Sequence, residues 1–114
     1  MQLRRVFIAY RSPLFAQGLC GLLSGVRGLQ VVGMGRESPG DGAYEDIQSL
    51  RPDVIVLEEG ADTALSRILD VAPGGHLVAV SLAHDRIRIY ARRDVQGRGV
   101  EGIVEAIGQA ARGY

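Results

Sequence analysis

Apolar positions along this chain follow two alternating rhythms. Val6-Phe7-Ile8-Ala9 is a short continuous apolar run and reads as a strand. Over positions 14–26 the period changes, with Phe15, Leu19, Leu22, Leu23 and Val26 at i, i+4, i+7, i+8 and i+11, one stripe of a helix. Positions 29–33 read as a second strand, 35–42 as a turn dense in Gly, Ser, Pro and Asp, and 43–50 as a second helix. Arg51-Pro52-Asp53 stops that helix. Val54-Ile55-Val56-Leu57 then has the unbroken apolar character of a central parallel strand and ends in Glu58-Glu59-Gly60. A helix over 63–71, a turn at Pro73-Gly74-Gly75 and a fourth strand over 76–82 complete a β-α-β-α-β-α-β order.

Alternation of this kind predicts a doubly wound parallel α/β sheet, with function gathered at the carboxyl ends of its strands. Tyr10, Arg11, Glu58 and Ser81 meet there. After the fourth strand the rhythm breaks: only Ala83-His84-Asp85 precede Arg86-Ile87-Arg88-Ile89-Tyr90-Ala91-Arg92, which alternates with period two. A parallel crossover takes about a dozen residues or more, so the fifth strand is expected to return antiparallel as a hairpin, or to leave and pair with another chain. A last helix over 99–111 carries Val100, Ile103, Val104 and Ile107 on one face.

A chain of 114 residues suits a single domain spanning 1–114 with its own core. Its formal net charge is zero, so any charge-driven partner must use a local patch. No apolar run approaches the ~20 residues that span a bilayer, and no secretory signal opens the chain, so a cytoplasmic protein without membrane contact is expected. Cys20 has no partner for an internal disulfide and is expected in the core of the first helix. All 13 basic residues are arginine, which excludes Schiff-base and lysine general-base chemistry.

Ser12-Pro13 marks the start of the first helix: the hydroxyl can cap free amides and Pro is tolerated in the first turn. A site therefore lies between strand and helix, at Tyr10 and Arg11. Gly33-Met34-Gly35 hints at a dinucleotide loop, but the third glycine of that pattern falls on Ser38 and Pro39 follows. His76, His84 and Asp85 are assigned no chemistry.

Ser12-Pro13-Leu14-Phe15-Ala16-Gln17-Gly18-Leu19, Leu29-Gln30-Val31-Val32-Gly33 and Leu50-Arg51-Pro52-Asp53-Val54-Ile55-Val56-Leu57 together resemble the receiver domain of bacterial response regulators, closest to the branch that carries a LuxR-type DNA-binding domain. The resemblance implies a flavodoxin-like (CheY-like) sheet of order 2-1-3-4-5, here with a shortened or missing fourth helix. In that family two acids hold magnesium, an Asp accepts a phosphoryl group, a hydroxyl reads it and a Lys neutralises it. These positions fall on Tyr10 and Arg11, on Glu58, on Ser81, and on Arg93 if the closing strand aligns. Only the hydroxyl survives.

A phenol and a guanidinium cannot supply the hard oxygen ligands magnesium needs, and phosphoryl transfer without metal or Lys loses most of its electrostatic support. Glu58 is longer than Asp by one methylene, which carries its carboxylate toward the place of a phosphoryl oxygen. Arg11 is expected to pair with it and lock the site; the alternative is that Arg11, Glu58 and Glu59 are solvated loop charges. No metal, cofactor or catalysis is expected.

On the fifth strand Arg86, Arg88, Tyr90 and Arg92 share one face, with Ile87, Ile89 and Ala91 on the other. The arginines either deter unwanted edge pairing or form a contact surface. Nucleic acid is a further candidate for this patch, with no recognition helix to support it. The resemblance implies a phosphorylation-independent signalling and dimerisation module, regulating transcription and reaching DNA only through a separate domain. A homodimer through the last strand or last helix, or association with a receiver-type protein partner, is the expected assembly. Unorthodox phosphotransfer and small-ligand sensing stay open as alternatives.

Overall fold

A computed structural model describes residues 3–37, 43–60, 65–72, 74–91 and 100–112. Among these residues five strands and four helices follow in order: β1 (Arg4–Tyr10), α1 (Pro13–Ser24), β2 (Leu29–Arg36), α2 (Ala43–Leu50), β3 (Val54–Glu58), α3 (Leu65–Val71), β4 (His76–Ser81), β5 (Arg86–Ala91) and α4 (Val100–Arg112). The sheet order is β2-β1-β3-β4-β5. β1 pairs parallel with β2 and β3, and β3 pairs parallel with β4. β4 and β5 pair antiparallel, Ser81 against Arg86 and His76 against Ala91. This is a CheY-like arrangement in which the helix between the last two strands is replaced by a tight turn at residues 82–85 and the final strand is reversed.

The apolar runs become strands because both faces of the sheet's centre are covered. Phe7, Ala9, Ile55, Leu57, Leu77 and Ala79 point to one face, where they pack with Ala43 and Ile47 of α2 and Ile68 of α3. Each fully buried Ile, Leu or Phe there contributes about 1.5–3 kcal/mol. Ile8 is fully buried on the opposite face, which α1 covers over β1 and β2.

Gly33 and Gly35 lie inside β2 beneath α2. A Cβ at Gly33 would come within 2.8 Å of Leu50 Cδ1 and 3.1 Å of Phe7, and one at Gly35 within 3.1 Å of the Ala43 Cβ. These glycines set the close approach of helix to strand, a packing role rather than a nucleotide loop; Ser38 and Pro39 lie outside the described residues. α2 ends at Leu50, and the following Arg51, whose φ of 51° is left-handed, turns the chain into Pro52.

Several local expectations need correction. The α1 stripe is only partly buried: Leu22 and Val26 are exposed, as is Leu14, and Ala16 is the helix's one buried side chain. Cys20 is half-buried rather than in the core. β2 runs three residues further than its apolar pattern, to Arg36, and so carries Glu37 to the carboxyl edge of the sheet.

Two apolar surfaces are open to solvent. Ile87 and Ile89 on β5 are 67% and 76% exposed, and Val100, Ile103, Val104 and Ile107 on α4 are all between 60% and 75% exposed. Among the described residues, no helix is long and apolar enough to cross a membrane.

Candidate functional site

Glu58 is the last residue of β3. Alternation along the strand puts it on the same face as Val54 and Val56, the side on which α1 begins. Its carboxylate is buried, with 8% of the residue exposed, and among the described residues the hydrogen bonds it accepts come from the β1–α1 junction. Oε1 accepts the backbone N–H of Arg11 and of Ser12, each at 2.8 Å. The Ser12 hydroxyl lies 3.2 Å from Oε1 and 3.0 Å from Oε2. Ser12 occupies the N-cap position with extended φ and ψ of −112° and 125°, yet its hydroxyl caps no helical amide. It is spent on Glu58. The expected N-cap bond is thus replaced by a longer-range one, and Pro13 at the start of the helix has no N–H to satisfy.

Arg11 reaches Glu58 through its backbone amide, not through the guanidinium expected to do so. The side chain turns the other way, and Nη1 donates to Glu37 Oε2 at 3.0 Å. Glu37 is buried and is held in place by its own N–H, which donates to the Tyr10 carbonyl at 2.6 Å. Tyr44 on α2 donates its hydroxyl to Glu37 Oε1 at 3.4 Å, and the Arg67 guanidinium from α3 stands 4.9 Å from the centre of the Tyr44 ring. Burial raises the Tyr44 pKa, the Glu37 carboxylate adds to the rise, and Arg67 opposes it. Gly60 makes room for Arg11: a Cβ there would fall 2.6 Å from the guanidinium carbon.

Ser81, buried at the end of β4, faces the hairpin turn, its Oγ 3.1 Å from His84 Nδ1. The Glu59 amide donates to the Val80 carbonyl at 2.8 Å, so Glu58 and Ser81 sit at one edge of neighbouring strands. On β5, Arg86, Arg88 and Tyr90 share the face of Ser81, Ala79 and Leu77. Arg88 Nη1 donates to the Tyr90 hydroxyl at 3.3 Å, and that bond holds the Arg88 pKa above its ordinary value. Arg92 and Arg93 lie outside the described residues.

Among the described residues this edge does not fit magnesium. Tyr10 and Arg11 bring a phenol and a guanidinium to it, neither of them a ligand suited to a hard cation. Among the described residues, Glu58 is already engaged with two amides and a hydroxyl, and Glu37 with a guanidinium and a phenol. Among the described residues no three of His, Cys, Asp and Glu are grouped to hold a metal ion.

No family model matches the chain, and no curated protein matches it as a relative. The site is therefore defined by its own geometry. Glu37 and Tyr44 belong to it without any expectation from the sequence, and Ser12 belongs to it in place of the helix-capping role expected of it. For Glu37 a signal existed, an acid just past a strand that ends in charge at the same edge as Arg11.

Proposed function

We propose that this chain is a signalling module of the receiver type that acts by associating with another protein, its phosphorylation switch replaced by an internal carboxylate. The observation that carries the proposal is Glu58: buried, and saturated by the Arg11 amide, the Ser12 amide and the Ser12 hydroxyl. An aspartyl phosphate would bring negative oxygens to such donors only while phosphorylated. Glu58 brings them permanently, by charge-assisted bonds at a helix start. With its oxygens so engaged the carboxylate is a poor nucleophile, and Tyr10 and Arg11 offer no metal to neutralise a phosphoryl group. Association in one fixed state follows, with a second copy of the chain as the first partner to test, in a cytoplasmic setting. Control of transcription would run through a separate DNA-binding domain.

The test is molar mass by light scattering across dilution, with and without magnesium and acetyl phosphate. A dimer whose dissociation curve is unmoved by either additive is the expected result. A monomer that dimerises only with phosphodonor and magnesium, together with a phosphoryl mass gain, would overturn the proposal.

A further inference from the structure

We propose that α4 is a hinged cover for the open half of the sheet, closing over β3, β4 and β5 on the face that α1 covers over β1 and β2. Apolar residues form rows across the strands of that face: Ile8 beside Val56, Val56 beside Val78 and Val78 beside Ile89, with Val80 beside Ile87 one step further on. Burial fades along these rows with distance from α1, from fully buried Ile8 through half-buried Val56 and Val78 to Ile89 at 76% exposed. That half of the sheet is open to water. The second open surface is the α4 stripe. Val100, Ile103, Val104 and Ile107 lie within about 100° of arc on the helix, and each is at least 60% exposed. Both surfaces are built from Val and Ile, and pairing them takes both out of water at once.

The occupant is α4 of the same chain because reach, length and concentration agree. Ala91 pairs with His76, so β5 delivers the chain to the amino edge of the parallel strands. Residues 92–99 separate it from Val100, a tether of up to about 30 Å. β3 lies only about 10 Å across the sheet from β5. From that edge α4 runs back toward the carboxyl ends of β3 and β4. Its 13 residues make about 20 Å of helix, the length of the six-residue strands β4 and β5. A helix so tethered meets its site at a roughly millimolar effective concentration, above that of a free competitor at micromolar protein. With α4 closed, neither apolar surface is free to bind, and contact passes to the Arg86–Arg88–Tyr90 face on the other side of the sheet. The cover does not depend on the association proposed above.

The experiment uses the full chain at low micromolar concentration in a Cys20→Ser background, with two cysteine pairs. One joins Ile89→Cys to Ile103→Cys within the stripe; the control joins Ile89→Cys to Glu101→Cys, about 110° around the helix from the stripe's centre. A short bis-maleimide links whichever pair is held close. Expected is an intramolecular link, read as a monomer carrying one bridging mass, at least about tenfold faster for the Ile103 pair than for the Glu101 pair. Equal rates would show a helix that merely drifts past the sheet and would overturn the cover. Preferential formation of a covalent dimer would overturn it too, assigning the face to another copy's helix while leaving association standing. Ile103→Glu gives an independent reading through the apolar dye ANS. A closed cover predicts more dye bound in this variant than in the native chain, because repelling the helix bares both surfaces; unchanged or reduced binding would mean that α4 was already open and would overturn the proposal. Ile89, Ile103 and Glu101 are all exposed, so these substitutions leave the core intact.

Discussion

Removing the Glu58 carboxylate should cost far more than removing a solvated loop charge. In Glu58→Ala the Arg11 amide, the Ser12 amide and the Ser12 hydroxyl all lose their acceptor at once. Hydrogen bonds to a charged group are worth about 1.5–3 kcal/mol each, but water can enter at the sheet edge and the buried charge's own desolvation cost disappears, so a loss of about 2–3 kcal/mol is expected. Glu58→Gln keeps one carbonyl oxygen for the two amides and should lose about 1 kcal/mol. For a domain of this size each kcal/mol moves the melting temperature by about 3–5 °C. Urea unfolding followed by circular dichroism measures the loss, and an unchanged m-value shows that only the native state was touched. Ser12→Ala supplies the partner arm: the double variant should reveal a coupling of about 1 kcal/mol with Glu58. If Glu58→Ala changed stability by less than about 0.5 kcal/mol, the range of exposed charges, the locked-site reasoning would be refuted.

Three further outcomes follow from the same edge and its opposite end. Tyr44, whose pKa is raised first by burial and then by Glu37, should titrate above the ordinary tyrosine value in ultraviolet absorbance, and Tyr44→Phe should remove that late phase. Because the folded pKa lies above the unfolded one, this contribution to stability is whole below about pH 10 and declines as pH rises through the folded pKa. Gly60→Ala should displace the Arg11 guanidinium and cost about 1 kcal/mol in chemical denaturation, a penalty that vanishes in an Arg11→Ala background; persistence of the full penalty there would disprove the steric account. At the amino edge of the strands, Asp53 Oδ2 accepts the Arg5 amide at 2.8 Å while the Asp53 amide donates to the Arg5 carbonyl at 2.8 Å. Asp53→Ala should lose about 1 kcal/mol and Asp53→Asn much less, as read from urea midpoints.

The strands were legible because burial on both faces writes itself as unbroken apolar residues, and Val54-Ile55-Val56-Leu57 allows little else. The hairpin was legible from arithmetic, since residues 82–85 are too few for a crossover. What escaped depends on direction and register. Arg11 was rightly placed at the edge, but nothing in its identity says that the amide turns to Glu58 and the guanidinium to Glu37. The partnership of Ser12 with Glu58 competes with an N-cap role that local pattern favours equally. Glu37 enters the site because β2 continues through Gly35 and Arg36 in register with Ala9 and Tyr10, a pairing without apolar signature. The α4 stripe was legible as a face, but periodicity marks which side is apolar and not what covers it. Its exposure is a property of the tertiary arrangement alone.

The reversed last strand also alters the order in which this sheet can assemble. Ser81 finds Arg86 across a tight turn, whereas Ile8 must find Val56 and Phe7 must find Ile55 from far along the chain. Hairpins form in about 1–10 µs, and distant parallel pairings wait on the entropy of closing long loops. β4 and β5 are thus able to zip together first, offering β3 a ready template on the Leu77–Ala79 strand. That same early ribbon carries Ile87 and Ile89 bare, so concentration during refolding should decide whether its open side is left alone or recruits a neighbour before the core has closed.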